Sequence, residues 1–198
     1  MKKYRVRVEF TEPLLGTVPL DRDVFTTYVN GKAPSGIDAA DELDTLTVDE
    51  QIEKGTTGFH RVDGQPILYD YVIKGFMKDA CGMLRRDKES GSSKISAYKR
   101  IIDGMMFVMP RRIPITVVGE LGILERPLRA QTAQGERVAL ARSETVPVGS
   151  FIEFSILTMG DVKQAWLDEW FTYGELRGMG QWRNASYGRF TYTITETA

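Results

Sequence analysis

Gly174-Glu-Leu-Arg177-Gly178-Met-Gly180-Gln-Trp182-Arg183-Asn-Ala-Ser-Tyr187-Gly188-Arg189-Phe190 is the stretch whose reading decides the fold. It sets four glycines and three arginines between a predicted helix, Val162 to Tyr173, and a closing strand, Arg189 to Thr195. Glycine has no Cβ, so it tolerates positive φ and lets backbone N–H groups come close to another chain or a ligand. Successive N–H groups in such a turn form a concavity for anions, and arginine supplies the forked donors that phosphate prefers. The plainer reading is a long glycine-rich connection between a helix and a strand. Gly178-Met-Gly180 does not decide between the two.

Working outward, Phe190, Tyr192 and Ile194 alternate with Thr191, Thr193 and Thr195. At the other end of the chain, Tyr4, Val6, Val8 and Phe10 alternate with Arg5, Arg7 and Glu9, the signature of a half-buried strand. Asp63-Gly64 suits a tight hairpin turn. A second helix is predicted over Tyr71 to Arg86, with Val72, Ile73, Phe76, Met77, Ala80, Met83 and Leu84 in one apolar sector. Lys74, Lys78 and Arg85 line its opposite side, flanked by Gly75 and Gly82. Such a stripe is either a solvated face or a contact for something bulky that needs the glycines out of its way.

Between the helices, Asp87 to Ser96 is polar, Ala97 to Ile102 suits a short helix, and Met105 to Met109 and Ile113 to Val118 read as strands. Glu125 to Arg129 reads as an extended loop and Ala133-Gln-Gly135-Glu as a turn. Val138 to Ser143 and Phe151 to Ile156 read as strands. Strands scattered around two principal helices predict an α+β domain, its helices on one face of a mainly antiparallel sheet.

Composition narrows the class. The 198 residues carry 26 Lys+Arg, 27 Asp+Glu, one histidine and one cysteine. Cys81 alone allows neither an internal disulfide nor a cysteine-based zinc site. No stretch approaches the roughly 20 apolar residues of a membrane span, and Met1-Lys-Lys-Tyr-Arg-Val-Arg-Val lacks the apolar run of a signal peptide. A cytoplasmic protein with no membrane partner and no cofactor is expected. The charge is unevenly spread: residues 17–55 hold nine acidic and three basic side chains, residues 71–142 fourteen basic and seven acidic. That asymmetry points to a polyanion more than the near-neutral total does. The acidic segment reads as an insertion over residues 17–62 of a single 198-residue domain, with short helices over Ala39 to Leu46 and Val48 to Lys54.

Four stretches together resemble the RAMP superfamily, the ferredoxin-like (RRM-like) subunits of CRISPR effector complexes, and most of all their crRNA-coating backbone subunits. They are Tyr4 to Phe10 with Pro13-Leu14-Leu15-Gly16; Asp63 to Phe76 with its Ile73-Lys74-Gly75; Gly135 to Phe154 with Glu144 and Pro147-Val-Gly149; and the glycine-rich stretch itself. The resemblance implies a ferredoxin-like sheet and a non-catalytic protein that binds single-stranded RNA, or single-stranded DNA. It also implies association with further copies or with other effector subunits, and a thumb-like role for the acidic insertion. The glycine that family loops often carry at the place of Ser186 or Tyr187 is missing. The superfamily's RNA-cutting members use a histidine, or an aspartate after the first strand; Asp21 and Asp23 lie there without a motif around them.

Binding a single strand needs cations for phosphates, backbone donors, and planar groups for bases. Lys74, Lys78, Arg85, Arg177, Arg183 and Arg189 are the candidate cations. Gly178 and Gly180 are the candidate donors, and Trp182, Tyr187 or Phe59 the candidate stacking groups. Trp182 is equally suited to anchoring its own loop. Two alternatives remain open. One is metal-independent RNA cleavage with His60 as general base; the other is an assembly or inhibitor protein from a mobile element that contacts proteins instead. Asp38, Asp41, Glu42 and Asp44 form no metal-ligand spacing.

Overall fold

The computed structural model of the chain describes residues 1–20, 55–132 and 135–197. The predicted helices at Ala39 to Leu46 and Val48 to Lys54, the candidates Asp21 and Asp23, and the turn at Ala133-Gln134 lie outside the described residues. The chain divides into two compact units: Met1–Leu14, His60–Glu120 and Val146–Ala198 form the first, Leu15–Phe59 and Leu121–Thr145 the second.

In the first unit, β1 (Lys2–Phe10) lies between β12 (Phe190–Thr197) and β11 (Phe151–Thr158), antiparallel to both. β11 pairs in turn with β7 (Met106–Met109) and β8 (Arg112–Thr116). These two short strands follow one another along a single partner, and Pro110, with no N–H to give the ladder, stands in the gap. Beyond β8 come β6 (Gln65–Tyr69) and β5 (His60–Val62). The hairpin between β5 and β6 turns on Asp63 and Gly64, whose φ values of 51° and 82° are what a two-residue primed turn requires. With α1 (Asp70–Leu84) before β7 and α3 (Gln164–Arg177) between β11 and β12, the order β12–β1–β11–β7/β8 is the antiparallel ferredoxin-like arrangement.

Period-2 patterning assigns the sheet's faces. Tyr4, Val6, Val8 and Phe10 are buried, as are Ile152, Phe154 and Ile156 beside them. Phe76 of α1 packs edge-on against Phe171 of α3 and Phe190 of β12, which joins both helices to the sheet. Gly174 makes that packing possible: a Cβ there would stand 2.4 Å from the Phe190 ring and 2.6 Å from Phe76. The first residues of the quoted stretch therefore belong to α3, which ends one turn later than the pattern predicts. On the opposite face Lys3, Arg5 and Glu9 are exposed, and a shallow cavity of about 430 Å³ is lined by Arg5, Met109, Pro110, Glu153, Phe154 and Ser155.

A third helix, α2 (Tyr98–Met105), crosses α1 where Gly82 leaves room; the Tyr98 hydroxyl would be 2.8 Å from a Cβ at that position. The polar connection ahead of it is pinned. The Glu169 carboxylate of α3 accepts from the Gly91 N–H (2.8 Å), the Ser92 N–H (3.0 Å) and the Ser92 hydroxyl (2.5 Å). The buried Trp170 indole donates to the same Ser92 oxygen at 2.9 Å.

In the second unit, β4 (Thr56–Gly58) runs antiparallel to β3 (Val18–Pro19) and parallel to β10 (Gly135–Val146), which forms a long hairpin with β9 (Gly122–Thr132). β9 corrects the reading of Glu125 to Arg129 as a loop: Pro127 and its charged neighbours hide the alternation, and pairing with β10 imposes the strand. Gly16 packs directly on the Gly58 backbone, and the Glu144 carboxylate accepts the Phe59 N–H at 3.2 Å.

The glycines separate into those that are filled against and those that are open. Gly188 has φ 69°, and a Cβ there would meet the Met179 carbonyl oxygen at 2.1 Å, whereas Gly75 has nothing within 4 Å. Gly188→Ala is expected to lower unfolding free energy by about 2–4 kcal/mol through strain and overpacking. Gly75→Ala is expected to raise it by about 0.5–1 kcal/mol through helix propensity. Urea unfolding of both variants checks the contrast.

Candidate nucleic-acid interface

The end of α3, the glycine-rich turn and the outer surface of α1 meet within the first unit. The turn is held by its own backbone: Gly178 N–H donates to Gly174 O (2.7 Å), Met179 N–H to Gly188 O (3.0 Å), and Gly188 N–H to Pro13 O (2.9 Å). Gly178, at φ 77°, is filled against as well; a Cβ there would lie 2.4 Å from the Tyr187 carbonyl oxygen. The Gly178 donor is thus committed inside the fold. Gly180 also sits at positive φ (79°), and Trp182 is left-handed at φ 55°, its ring centroid 6.5 Å from that of Tyr187. Phe59 is buried, in the second unit.

Two of the three arginines converge on α1. An Arg183 guanidinium nitrogen is 2.7 Å from Asp79 Oδ2, and Arg177 Nε is 3.7 Å from the same oxygen. Arg177 also donates to the Asn184 side-chain oxygen, and Arg189 Nε donates to Leu176 O at 2.7 Å. All three side chains of the cluster stay partly open, at 25% exposure for Arg177, 29% for Arg183 and 28% for Asp79. The cationic stripe of α1 turns the other way, toward α2. Lys78 Nζ pairs with Asp103 at 2.5 Å, Lys74 Nζ donates to Asp103 O at 3.2 Å, and the Arg85 guanidinium lies 5.2 Å from the Tyr98 ring centroid.

Helix geometry places the Lys74–Lys78–Arg85 stripe and Asp79 about 100–140° apart around α1. Between them runs a strip of helix surface with Tyr71 and Gly75 exposed on it, which Tyr98 of α2 closes at Gly82. The structure therefore brings Arg177 and Arg183 to one flank of this strip and Lys74, Lys78 and Arg85 to the other. Asp79 and Asp103, which set both flanks, were not singled out by the sequence; Arg183 and Asp79 are 104 residues apart, and no local pattern announces the pair.

His60 stands on β5, its ring edge-on to Tyr69 at 4.9 Å. Burial pushes its imidazole below the ordinary pKa of 6.5, so it is neutral at pH 7. Burial likewise pushes the Cys81 thiol up, the state of a packed rather than a reactive cysteine. Among the described residues there is no cluster of His, Cys, Asp or Glu able to hold a metal ion, and no helix long and apolar enough to cross a membrane.

Comparison with solved structures supports the fold. A chain of the type III-B Cmr-beta complex bound to cognate target RNA, determined by cryo-electron microscopy, superposes with a TM-score of 0.55 at 13% identity. The match covers 98% of this chain and 60% of that one, so the present chain spans about three fifths of its length. A chain of a type IV-B CRISPR complex matches with a TM-score of 0.46 at 13% identity, over 99% of this chain and 91% of that one. No protein-family model matches the sequence, and no curated protein does. The topology, together with the likeness to the Cmr-beta chain, establishes the α+β, ferredoxin-like fold.

Asp79 carries the electrostatic weight of the turn. Asp79→Asn is expected to destabilise the protein by about 1 kcal/mol, a partly exposed pair being worth little more. The loss should shrink in 1 M salt, where screening has already weakened the wild-type pair. Thermal melts at low and high salt check this.

Proposed function

We propose that the protein is a non-catalytic, single-stranded nucleic-acid-binding subunit of the CRISPR backbone type, with RNA as its ligand. The observation that carries the reading is the open strip of α1 at Gly75, bordered by arginines on one flank and by the lysine stripe on the other. A sugar–phosphate chain laid over that strip meets no side chain at Gly75. Arg177 and Arg183 reach it from the turn, and Lys74, Lys78 and Arg85 from the α2 side. Trp182 and Tyr187 stand at the turn with planar faces for unpaired bases. The intramolecular partners of these cations favour the same reading. A surface ion pair is worth about 0–1 kcal/mol, so a phosphate replaces Asp79 or Asp103 at small cost, while both acids hold the cations extended in its absence.

The resemblance of the sequence to RAMP backbone subunits, and the RNA-bound state of the Cmr-beta complex whose chain shares the fold, support RNA over DNA. The same support extends to side-by-side assembly on the strand, to other effector subunits as partners, and to a cytoplasmic site of action. The second compact unit, which carries the acidic segment, takes the part of the thumb.

Titration of a labelled 20-nucleotide single-stranded RNA tests the reading. Arg177→Ala with Arg183→Ala is expected to weaken binding about tenfold at 0.1 M salt and to flatten the salt slope by about 1.4, at about 0.7 per lost phosphate contact. Asp79→Asn is expected to tighten binding, because it frees the two guanidinium groups. If the arginines only brace the turn, Asp79→Asn weakens binding instead. The RNA is expected to stay intact with and without magnesium; a cleavage product that disappears in His60→Ala overturns the non-catalytic assignment.

A further inference from the structure

From the end of α1 to the start of α2 the chain gathers Arg85, Arg86, Lys88, Lys94, Lys99 and Arg100 within sixteen residues, and all six are exposed. Only two acids, Asp87 and Glu89, share the segment. Asp87 is partly occupied in accepting the Glu89 N–H at 3.0 Å. Like charges at this density repel one another, so the free protein is held together here against its own electrostatics.

The backbone that carries them is anchored at every turn. Ser90 Oγ donates to Leu84 O at 2.7 Å and accepts from Ser93 N–H at 3.1 Å, and Ser93 Oγ donates to Ser90 O at 2.7 Å. Ser92, fully buried, receives the Trp170 indole and is clamped by Glu169, while Ile95 is buried beneath. Arg85 lies over Tyr98, which closes the segment onto α2. Within residues 85–100 no large hydrophobic side chain is exposed. A protein partner of ordinary affinity brings an apolar centre to its interface, with aromatic residues and methionine. This surface offers such a partner no apolar centre. A polyanion, which gains by releasing condensed counterions, is the ligand it suits.

We infer that this pinned segment is a second phosphate-contacting platform for the same nucleic-acid strand, continuing past Arg85 from the α1 strip onto Arg86, Lys88, Lys94, Lys99 and Arg100. The inference rests on the reading above that the ligand is a single strand, and it lengthens the contact. Asp79 and Arg85 are about 9 Å apart along the helix axis, so the platform begins one to two nucleotides beyond the turn arginines. Its fixed backbone keeps the ordering cost of binding low.

The test compares the wild type with the Arg86→Ala, Lys88→Ala, Lys94→Ala triple variant and with its charge-conserving counterpart, Arg86→Lys, Lys88→Arg, Lys94→Arg. Labelled 10- and 20-nucleotide single-stranded RNAs are titrated from 0.05 to 0.5 M salt. The platform predicts that the alanine triple loses about tenfold in affinity for the 20-mer at 0.1 M salt, that its salt slope falls by about 2, and that the charge-conserving triple matches the wild type. It also predicts a melting temperature for the free alanine triple no lower than that of the wild type at low salt, because repulsion has been removed. Wild-type binding with unchanged affinity and slope in the alanine triple overturns the platform and leaves the turn site standing. Absence of wild-type binding at low salt overturns both. A change in oligomer size of the RNA-free alanine triple by light scattering, with RNA binding intact, assigns the surface to a second copy of the chain and overturns a nucleic-acid ligand for it.

Discussion

The backbone crossing at Gly178 and Gly188 is the constraint from which the rest of the candidate interface follows. Here the end of α3 and the approach to β12 come within bonding distance, Met179 N–H to Gly188 O, while Gly188 N–H reaches Pro13 O beyond the end of β1. Any Cβ at either glycine would collide with main chain. Two stretches nine residues apart and a third from the other end of the chain are locked by two hydrogen bonds and two missing side chains. That lock fixes where residues 179 to 187 emerge, and so sends Arg183 to Asp79 on α1, beside Arg177 at the end of α3. Remove it and Arg183 loses the partner that it shares with Arg177.

A second consequence is electrostatic. The cations that border the α1 strip are each held by an acid or an aromatic ring from a neighbouring element, whereas those beyond Arg85 meet fewer acids and more solvent. Under the proposed function the first group is positioned before any ligand arrives and exchanges a carboxylate for a phosphate. The second stands ready but repels itself. On that reading the two arrangements differ in what they contribute: orientation near the glycine turn, and added counterion release along the platform. Both belong to the one ferredoxin-like unit, whose helices leave their outer surfaces free because the sheet and the Phe76–Phe171–Phe190 cluster satisfy their inner ones.

Much of this fold was legible because it is written in local patterns. Alternation marked β1, β11 and β12, the apolar sector marked α1, and Asp63-Gly64 marked a hairpin whose dihedrals are the expected ones. What failed was whatever depends on distant partners. β9 was hidden by Pro127 and charged residues that are tolerated because β10 supplies the pairing. Helix α3 runs through Gly174, whose poor propensity is offset by the aromatic rings it admits. The polar connection at residues 87–96 shows nothing of Glu169, which fastens it from 77 residues away. Of the site, residue types and helix face were readable. The destinations of the arginines and lysines were not, because Asp79 and Asp103 look like ordinary helix acids. Even the glycines meant something other than their first reading: Gly174, Gly178 and Gly188 serve close packing.

Photocrosslinking is the most direct test of the account. A single-stranded RNA carrying 4-thiouridine at successive positions, irradiated in complex with the intact protein and mapped by mass spectrometry, reports which surface the strand follows. Adducts are expected at Trp182 or Tyr187 and on peptides spanning residues 71–100, in register with the nucleotide labelled. Adducts confined to β1, β11 and the open face of the sheet, or to the second unit, would contradict it.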